Sequence, residues 1–422
     1  MTLGLALGAV ACVHPGRGDW PSDRDQLLAT MQEALRAGDV LTTEGLLARA
    51  RQRFPIDTEV LRLDALMADM RWRDEIAIAD LKAICRLESD PAAIAEASGR
   101  AGEKLFMVGY WRESEAHLRA ALAGEVATPE RARRQAWADL ARSLPAIWRG
   151  PTSVEASAPL ASEPLPELLL GVGERGGAFV FDTGATITTL SLSLARALGV
   201  EPLLPGGEVS DGAGQPFSVH YGILQELLVG AVRLGPLPVL VVSDQVLAMR
   251  DLFGGPGRAV DGLLGLDVIV RFRVEVDARA RLLTVSSPRG IDAAHAVPAL
   301  RVDGGLRIPV VVEGRSLWFQ LDTGASHSSL TPAGVRERPG GALRAAAGFR
   351  IVHSPGGTRY SVRELRSLQV RASGAIFSEV DLPVVDRPAG ATGLPLHGVI
   401  GADLVSRCRM IFERGRLVLE VR

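Results

Sequence analysis

The C-terminal two thirds of this chain repeats itself, and that repeat constrains the fold more than any other feature. Residues 168–190 (LLLGVGERGGAFVFDTGATITTL) lie without a gap on residues 308–330 (IPVVVEGRSLWFQLDTGASHSSL), 140 positions later. Leu170 meets Val310, Val172 meets Val312 and Phe179 meets Phe319, so the apolar positions coincide. Asp182-Thr183-Gly184-Ala185 meets Asp322-Thr323-Gly324-Ala325. A given tripeptide of this kind is expected roughly 0.1 times in a chain of this size, so two copies in register are not an accident of composition. Each copy also ends alike, in Asp261-Gly-Leu-Leu-Gly265-Leu-Asp267 and His397-Gly-Val-Ile-Gly401-Ala-Asp403, whose Gly265 and Gly401 lie 83 and 79 residues beyond the respective aspartate. Between motif and ending, each copy carries a Gly-rich turn between strand-like residues, Asp211-Gly212-Ala-Gly214 and Ser354-Pro-Gly356-Gly357, both read as hairpins.

The rest of the chain has a different texture. From Asp23 to about Trp148, Leu, Ala and Ile recur at three- and four-residue spacings, which predicts helices. Residues 101–122 resemble a tetratricopeptide repeat, with Gly109 in its turn and weaker echoes around Leu35–Asp39 and Met70–Trp72. Trp72, Met107 and Trp111 are expected to pack between these helices. Pro, Ser, Ala and Glu then dominate between Pro145 and Pro166, which reads as a linker. At the N-terminus, Leu3–Ala11 is too short to span a membrane but suits an export signal, and Ala9-Val10-Ala11-Cys12 resembles a bacterial lipoprotein cleavage site with Cys12 as the lipidated residue. The expected organisation is a leader and tether over 1–22, a helical domain over 23–148, a linker over 149–164, and two β lobes over 165–290 and 298–422. The expected location is the periplasm, either free or as a membrane-anchored lipoprotein.

Charge and composition remove other classes. Lys plus Arg number 47 against 49 Asp plus Glu, a net charge of -2, which offers no electrostatic case for nucleic acid. Three cysteines without a C-x-x-C pair and seven histidines without H-E-x-x-H leave no metal-ligand pattern, and no cofactor is called for. Gly171-Val-Gly-Glu-Arg-Gly176 fits G-x-G-x-x-G but precedes a strand-like run, so it reads as a hairpin turn. His327, His353 and His397 are expected at the rim or in solvent.

The order hydrophobic-Asp-Thr-Gly-Ala, Gly-rich hairpin, two apolar residues and Gly resembles retropepsin-like aspartic proteases, here twice in one chain over about Leu165 to Arg422. The resemblance implies a multidomain chain: an all-α helical-repeat domain followed by an all-β bilobal protease of two retropepsin-like β-barrel lobes. It implies Asp182 and Asp322 as the catalytic pair, one from each lobe. Thr183, Gly184, Thr323 and Gly324 would support that pair, the hairpins at Asp211, Gly212, Gly214, Ser354, Gly356 and Gly357 would be flaps, and Gly265 and Gly401 would end the lobes. Two carboxyls held about 3 Å apart share one proton, the behaviour for which aspartic proteases are the standard illustration. The implied activity is endopeptidase action on a protein or peptide substrate within a single chain. The helical domain would offer a groove to a substrate protein or regulator. Two other readings use the same motifs: a non-catalytic peptide-binding scaffold with a pseudoprotease fold, and a helical scaffold whose protease part matures only its own chain.

Overall fold

The computed structural model describes residues 23–421 apart from 125–127, 149, 152–153, 173–174, 202, 211–215, 250–257, 293, 295, 338–345, 354–358 and 388–391. Cys12, the leader and both hairpin tips lie outside the described residues.

The helical periodicity resolves into α1 (Arg24–Arg36), α2 (Val40–Arg53), α3 (Thr58–Met70), α4 (Asp74–Leu87), α5 (Pro91–Val108), α6 (Trp111–Leu122) and α7 (Thr128–Ser143). Aspartates open four of them. The side chains of Asp23, Asp39, Asp57 and Asp90 accept from the first free backbone N–H groups of α1, α2, α3 and α5, each such cap contributing about 1 kcal/mol. Gly109 ends α5 in the left-handed conformation at φ 89°, which a residue with a Cβ adopts only with strain. Consecutive helices pack as pairs. In the α5–α6 pair, Ser114 Oγ donates to Gly102 O at 2.7 Å and Trp111 is fully buried with Phe106 and Leu118.

The β region is built on one pseudo-twofold axis. Six strands form a sheet shared by both lobes, in the order Glu155–Ser162, Leu282–Ser286, Arg273–Asp277, Cys408–Glu413, Arg416–Val421, Val297–Pro298. Its central pair sets Val274 opposite Phe412 and Val276 opposite Met410. The repeat equates Val274 with Met410 and Val276 with Phe412, so exchanging the lobes exchanges these pairs. Residues 155–162, expected in a linker, are thus a strand of the shared sheet: alternate residues Ala156, Ala158 and Leu160 are buried, a two-residue period that the Pro and Ser content hid.

Within each lobe the register is the same. In the first, strand Glu167–Val172 pairs antiparallel with Arg175–Phe181, beside which Gly262–Leu264 runs parallel, with Gly262 opposite Phe179. In the second, Gly305–Val312 pairs with Arg315–Leu321, and Gly398–Ile400 runs parallel with Gly398 opposite Phe319. Phe179 and Phe319 are both fully buried. Gly171 pairs with Gly176 across an antiparallel hairpin, as the sequence suggested.

The two regions are docked, and the helical turns do the docking. Trp318 Nε1 donates to Gly38 O at 2.9 Å after α1, Trp72 Nε1 donates to Ala299 O at 2.7 Å after α3, and Arg271 Nη2 donates to Met107 O at 3.1 Å near the end of α5. Trp72 also stacks edge-on against Phe412, with Arg301 over its other face at 4.4 Å. Arg301 bonds Asp69 and Asp74, which both pair with Lys104. Trp72 was expected to pack between helices; it packs on the β region instead, because it falls in the turn after α3 at φ 62°, past the last helical residue. Helix α7 covers the first-lobe hairpin through Trp137, which stacks on Phe106 at 4.6 Å and meets Tyr221 edge-on at 6.0 Å. Removing a large, well-packed aromatic costs about 3 kcal/mol or more. Calorimetry should therefore show one cooperative transition for the whole chain, shifted down by several degrees in Trp72→Ala; a separate low-temperature transition of the helices in the unaltered chain would contradict the docking.

Candidate active site

Each aspartate is delivered by a strand that the repeat had already aligned. Asp182 follows Arg175–Phe181 and Asp322 follows Arg315–Leu321, and in both the backbone N–H is tied to the parallel neighbour, to Leu264 O and Ile400 O at 3.0 Å each. The lobes then meet through their threonines. Thr183 Oγ1 donates to Leu321 O at 2.9 Å and accepts from Thr323 N at 3.1 Å; Thr323 Oγ1 donates to Phe181 O at 2.6 Å and accepts from Thr183 N at 3.0 Å. Both threonines are fully buried. A hydroxyl is the group for this position because it both donates and accepts, leaving no polar atom unsatisfied in a dry junction.

This clasp brings Asp182 and Asp322 together at the junction, each carboxyl set against the loop glycine of the opposite lobe. Asp182 Oδ1 accepts from Gly184 N at 2.7 Å and Asp322 Oδ1 from Ala325 N at 2.9 Å. Gly184 and Gly324 allow the approach: a Cβ on Gly324 would stand 2.5 Å from Asp182 Cγ, and one on Gly184 would stand 2.5 Å from Asp322 Oδ1. Burial and then the charge of Asp322 push the Asp182 carboxyl up to about 7. Burial raises Asp322 as well, opposed by the nearby Arg387 and by backbone N–H groups. The environment thus favours a singly protonated pair that titrates as a unit.

Behind the dyad stands a second symmetric layer. Asp267 Oδ1 accepts from Thr188 N and Oγ1 at 2.7 and 2.9 Å, and Thr188 Oγ1 accepts from Gly265 N at 3.2 Å. In the other lobe Asp403 Oδ1 accepts from Ser328 N and Oγ at 2.8 and 2.7 Å, and Ser328 Oγ accepts from Gly401 N at 2.9 Å. The lobe-ending glycines are therefore fastened to the chain leaving each aspartate loop. Thr188 and Ser328 escaped the sequence reading, although they occupy one repeat position and both carry a hydroxyl.

His397 corrects an expectation. It is buried at 8% exposure, and its Nδ1 accepts from Trp318 N at 3.0 Å, as Asp261 Oδ2 accepts from Ala178 N at 2.8 Å at the matching place. A ring acceptor there closes the strand edge, so it is neither a rim nor a solvent residue. His327 is half-buried, and the side chain of His353 lies outside the described residues. Asp211, Gly212, Gly214, Ser354, Gly356 and Gly357 lie outside them too; the strands flanking them, Leu204–Ser210 with Pro216–Leu224 and Ala346–His353 with Arg359–Ala372, do form antiparallel hairpins.

A comparison with protein families agrees with this architecture. The family model described as aspartyl protease matches twice, at residues 170–268 and 308–404. A retropepsin-like aspartic protease from Rickettsia conorii is similar over 33% of this chain and 95% of its own, with 17% identity and a TM-score of 0.23. A mutant O-GlcNAc transferase from Thermobaculum terrenum is similar over 30% of this chain and 23% of its own, with 25% identity and a TM-score of 0.24. No curated protein matches the chain. The aspartyl protease model covers most of both lobes, and there the chain is similar to that family, with two copies of the match in one polypeptide behind a tetratricopeptide-like helical region.

The proton on the dyad has a stability consequence. A carboxyl raised by folding favours the fold below its unfolded value and loses that contribution as pH rises through its folded value, here about 7. Asp182→Asn cannot ionise. Its melting temperature should match the unaltered chain near pH 4 and exceed it by roughly 5 °C at pH 8; a difference independent of pH would contradict the buried pair.

Proposed function

We propose that this chain is an aspartic endopeptidase, hydrolysing peptide bonds of protein substrates with a water activated between Asp182 and Asp322. The observation that carries the reading is the meeting of two carboxyls at the lobe junction, each set against the loop glycine of the other lobe. Ionised Asp322 takes a proton from the water as its oxygen adds to the peptide carbonyl carbon, while Asp182 gives its proton to the carbonyl oxygen. A neutral tetrahedral diol results. Asp182 then recovers a proton from one diol hydroxyl as the carbonyl re-forms, Asp322 passes its proton to the departing nitrogen, and the C–N bond breaks. Each aspartate ends as it began, and no acyl-enzyme is formed.

The threonine clasp supports the same reading, because general acid and base must be held within hydrogen-bond reach of one water. Nothing charged is spent on holding them there. Asp182→Asn and Asp322→Asn should each lower kcat by about a thousandfold or more with peptide binding retained. The kcat/KM profile should fall as pH rises through about 7, where the pair loses its shared proton, and fall again on the acid side at a pH above the ordinary aspartate value. Cleavage near the original rate in either variant, or a flat profile from pH 5 to 9, would overturn the proposal.

A further inference from the structure

The second lobe carries charge beside the dyad that the hydrolytic steps do not use. Side chains alternate along a strand, so Gln320 shares a side with Asp322 while fully buried Leu321 points into the core. Arg307 is the partner of Gln320 across the ladder, which sets its side chain two residues back from the catalytic carboxyl on that same side. It is 3% exposed, and its Nε and Nη1 have no hydrogen-bond partner among the described residues. Its Nη2 reaches Asp303 at 3.7 Å, and Asp303 also accepts from Thr392 N and Oγ1 at 3.2 and 3.3 Å.

A second guanidinium comes from Arg387. Val384 bridges Leu330 in parallel and Val385 N donates to Leu330 O at 2.8 Å, so the chain beyond Val385 runs beside the short strand that leaves the dyad loop. Arg387, two residues on, also has a buried Nε without a partner among the described residues. Its charge acts on Asp322 and on Arg307 alike. Burial first, with Arg387 adding to it, pushes Arg307 down to about 10. Two like charges with buried, unbonded N–H groups are costly unless an anion satisfies them.

The matching positions of the first lobe hold no such pair. Its position matching Arg307 is Glu167, opposite Val180. Leu190 pairs with Val241 as Leu330 does with Val384, so the position matching Arg387 is Asp244, which bonds Ser193 N at 2.9 Å. The cations are thus a departure of this chain from its own symmetry.

We propose that Arg307 and Arg387 form an anion-binding subsite beside Asp322, which selects peptides presenting a carboxylate next to the scissile bond. This rests on the peptidase reading for its occupant. The carboxylate could belong to an Asp or Glu side chain or to a peptide C-terminus, and guanidinium forks suit either.

The test uses the full chain and matched decapeptides that differ as Glu or Gln at each position within two residues of the cut, together with pairs whose C-terminus is free or amidated near it. The expected result is a preference of about tenfold or more in kcat/KM for one carboxylate, falling below about twofold in both Arg387→Gln and Arg307→Met. The ratio is taken within each variant, so an overall loss of active protein cancels. Preference for Glu assigns a side chain, and preference for the free terminus assigns the chain end. Equal rates within every pair, or a preference that survives both substitutions, overturns the subsite and leaves the peptidase reading standing. If the unaltered chain cuts none of the peptides, that reading falls, and calorimetric binding of the same pairs decides the subsite: tighter binding of the carboxylate member, lost in Arg387→Gln, supports it, and equal binding overturns it.

Discussion

The reciprocal bonds between Thr183 and Thr323 are the constraint on which the rest of the site depends. Each hydroxyl reaches a carbonyl of the opposite lobe and receives an N–H from it, so the contact forms only when both loops are in register about one axis. Four neutral hydrogen bonds contribute modestly in net energy, about 1 kcal/mol each. Their larger effect is penalty: moving one lobe strands several buried polar groups at once. The shared six-stranded sheet fixes the same axis from a second level, through the exchange-symmetric pairs around Val274 and Phe412. Between those two levels, neither aspartate has freedom to withdraw from the other.

The helical region takes part in this rigidity. Its turns at Gly38 and Trp72 hold the second lobe, and the end of α5 at Met107 and helix α7 hold the first. A repeat array offers one edge of turns, and here that edge is buried against the β region, leaving any partner-binding role to its other faces. The charges Asp69, Asp74, Lys104 and Arg301 at this contact are mutually paired, which offsets the cost of taking them out of water.

The sequence made the symmetric part of this molecule legible and concealed the asymmetric part. Asp182, Asp322, their Thr-Gly neighbours and the lobe-ending glycines could be read because each occurs twice at matched spacing. Thr188 and Ser328 were equally readable by that rule, but a hydroxyl inside Thr-Ile-Thr-Thr-Leu or Ser-His-Ser-Ser-Leu carries no sign of which one turns inward. Strand Glu155–Ser162 was missed since small residues supply its buried face. Trp72 and His397 were misplaced because a turn and a strand edge are decided by contacts with distant segments. Arg307 and Arg387 stand 80 residues apart in the chain and are joined only by ladder register, which composition does not encode.

The central claim is that one polypeptide supplies both carboxyls of one site, and it is tested most directly by peptide cleavage per mole of chain across a thousandfold dilution and in an equimolar mixture of the Asp182→Asn and Asp322→Asn chains. Because a covalent connection between residues 286 and 300 holds the lobes at high effective concentration, the account predicts constant specific activity on dilution and no recovery on mixing. Specific activity that falls with dilution, or cleavage restored in the mixture, would show that lobes of different chains meet, and would contradict it.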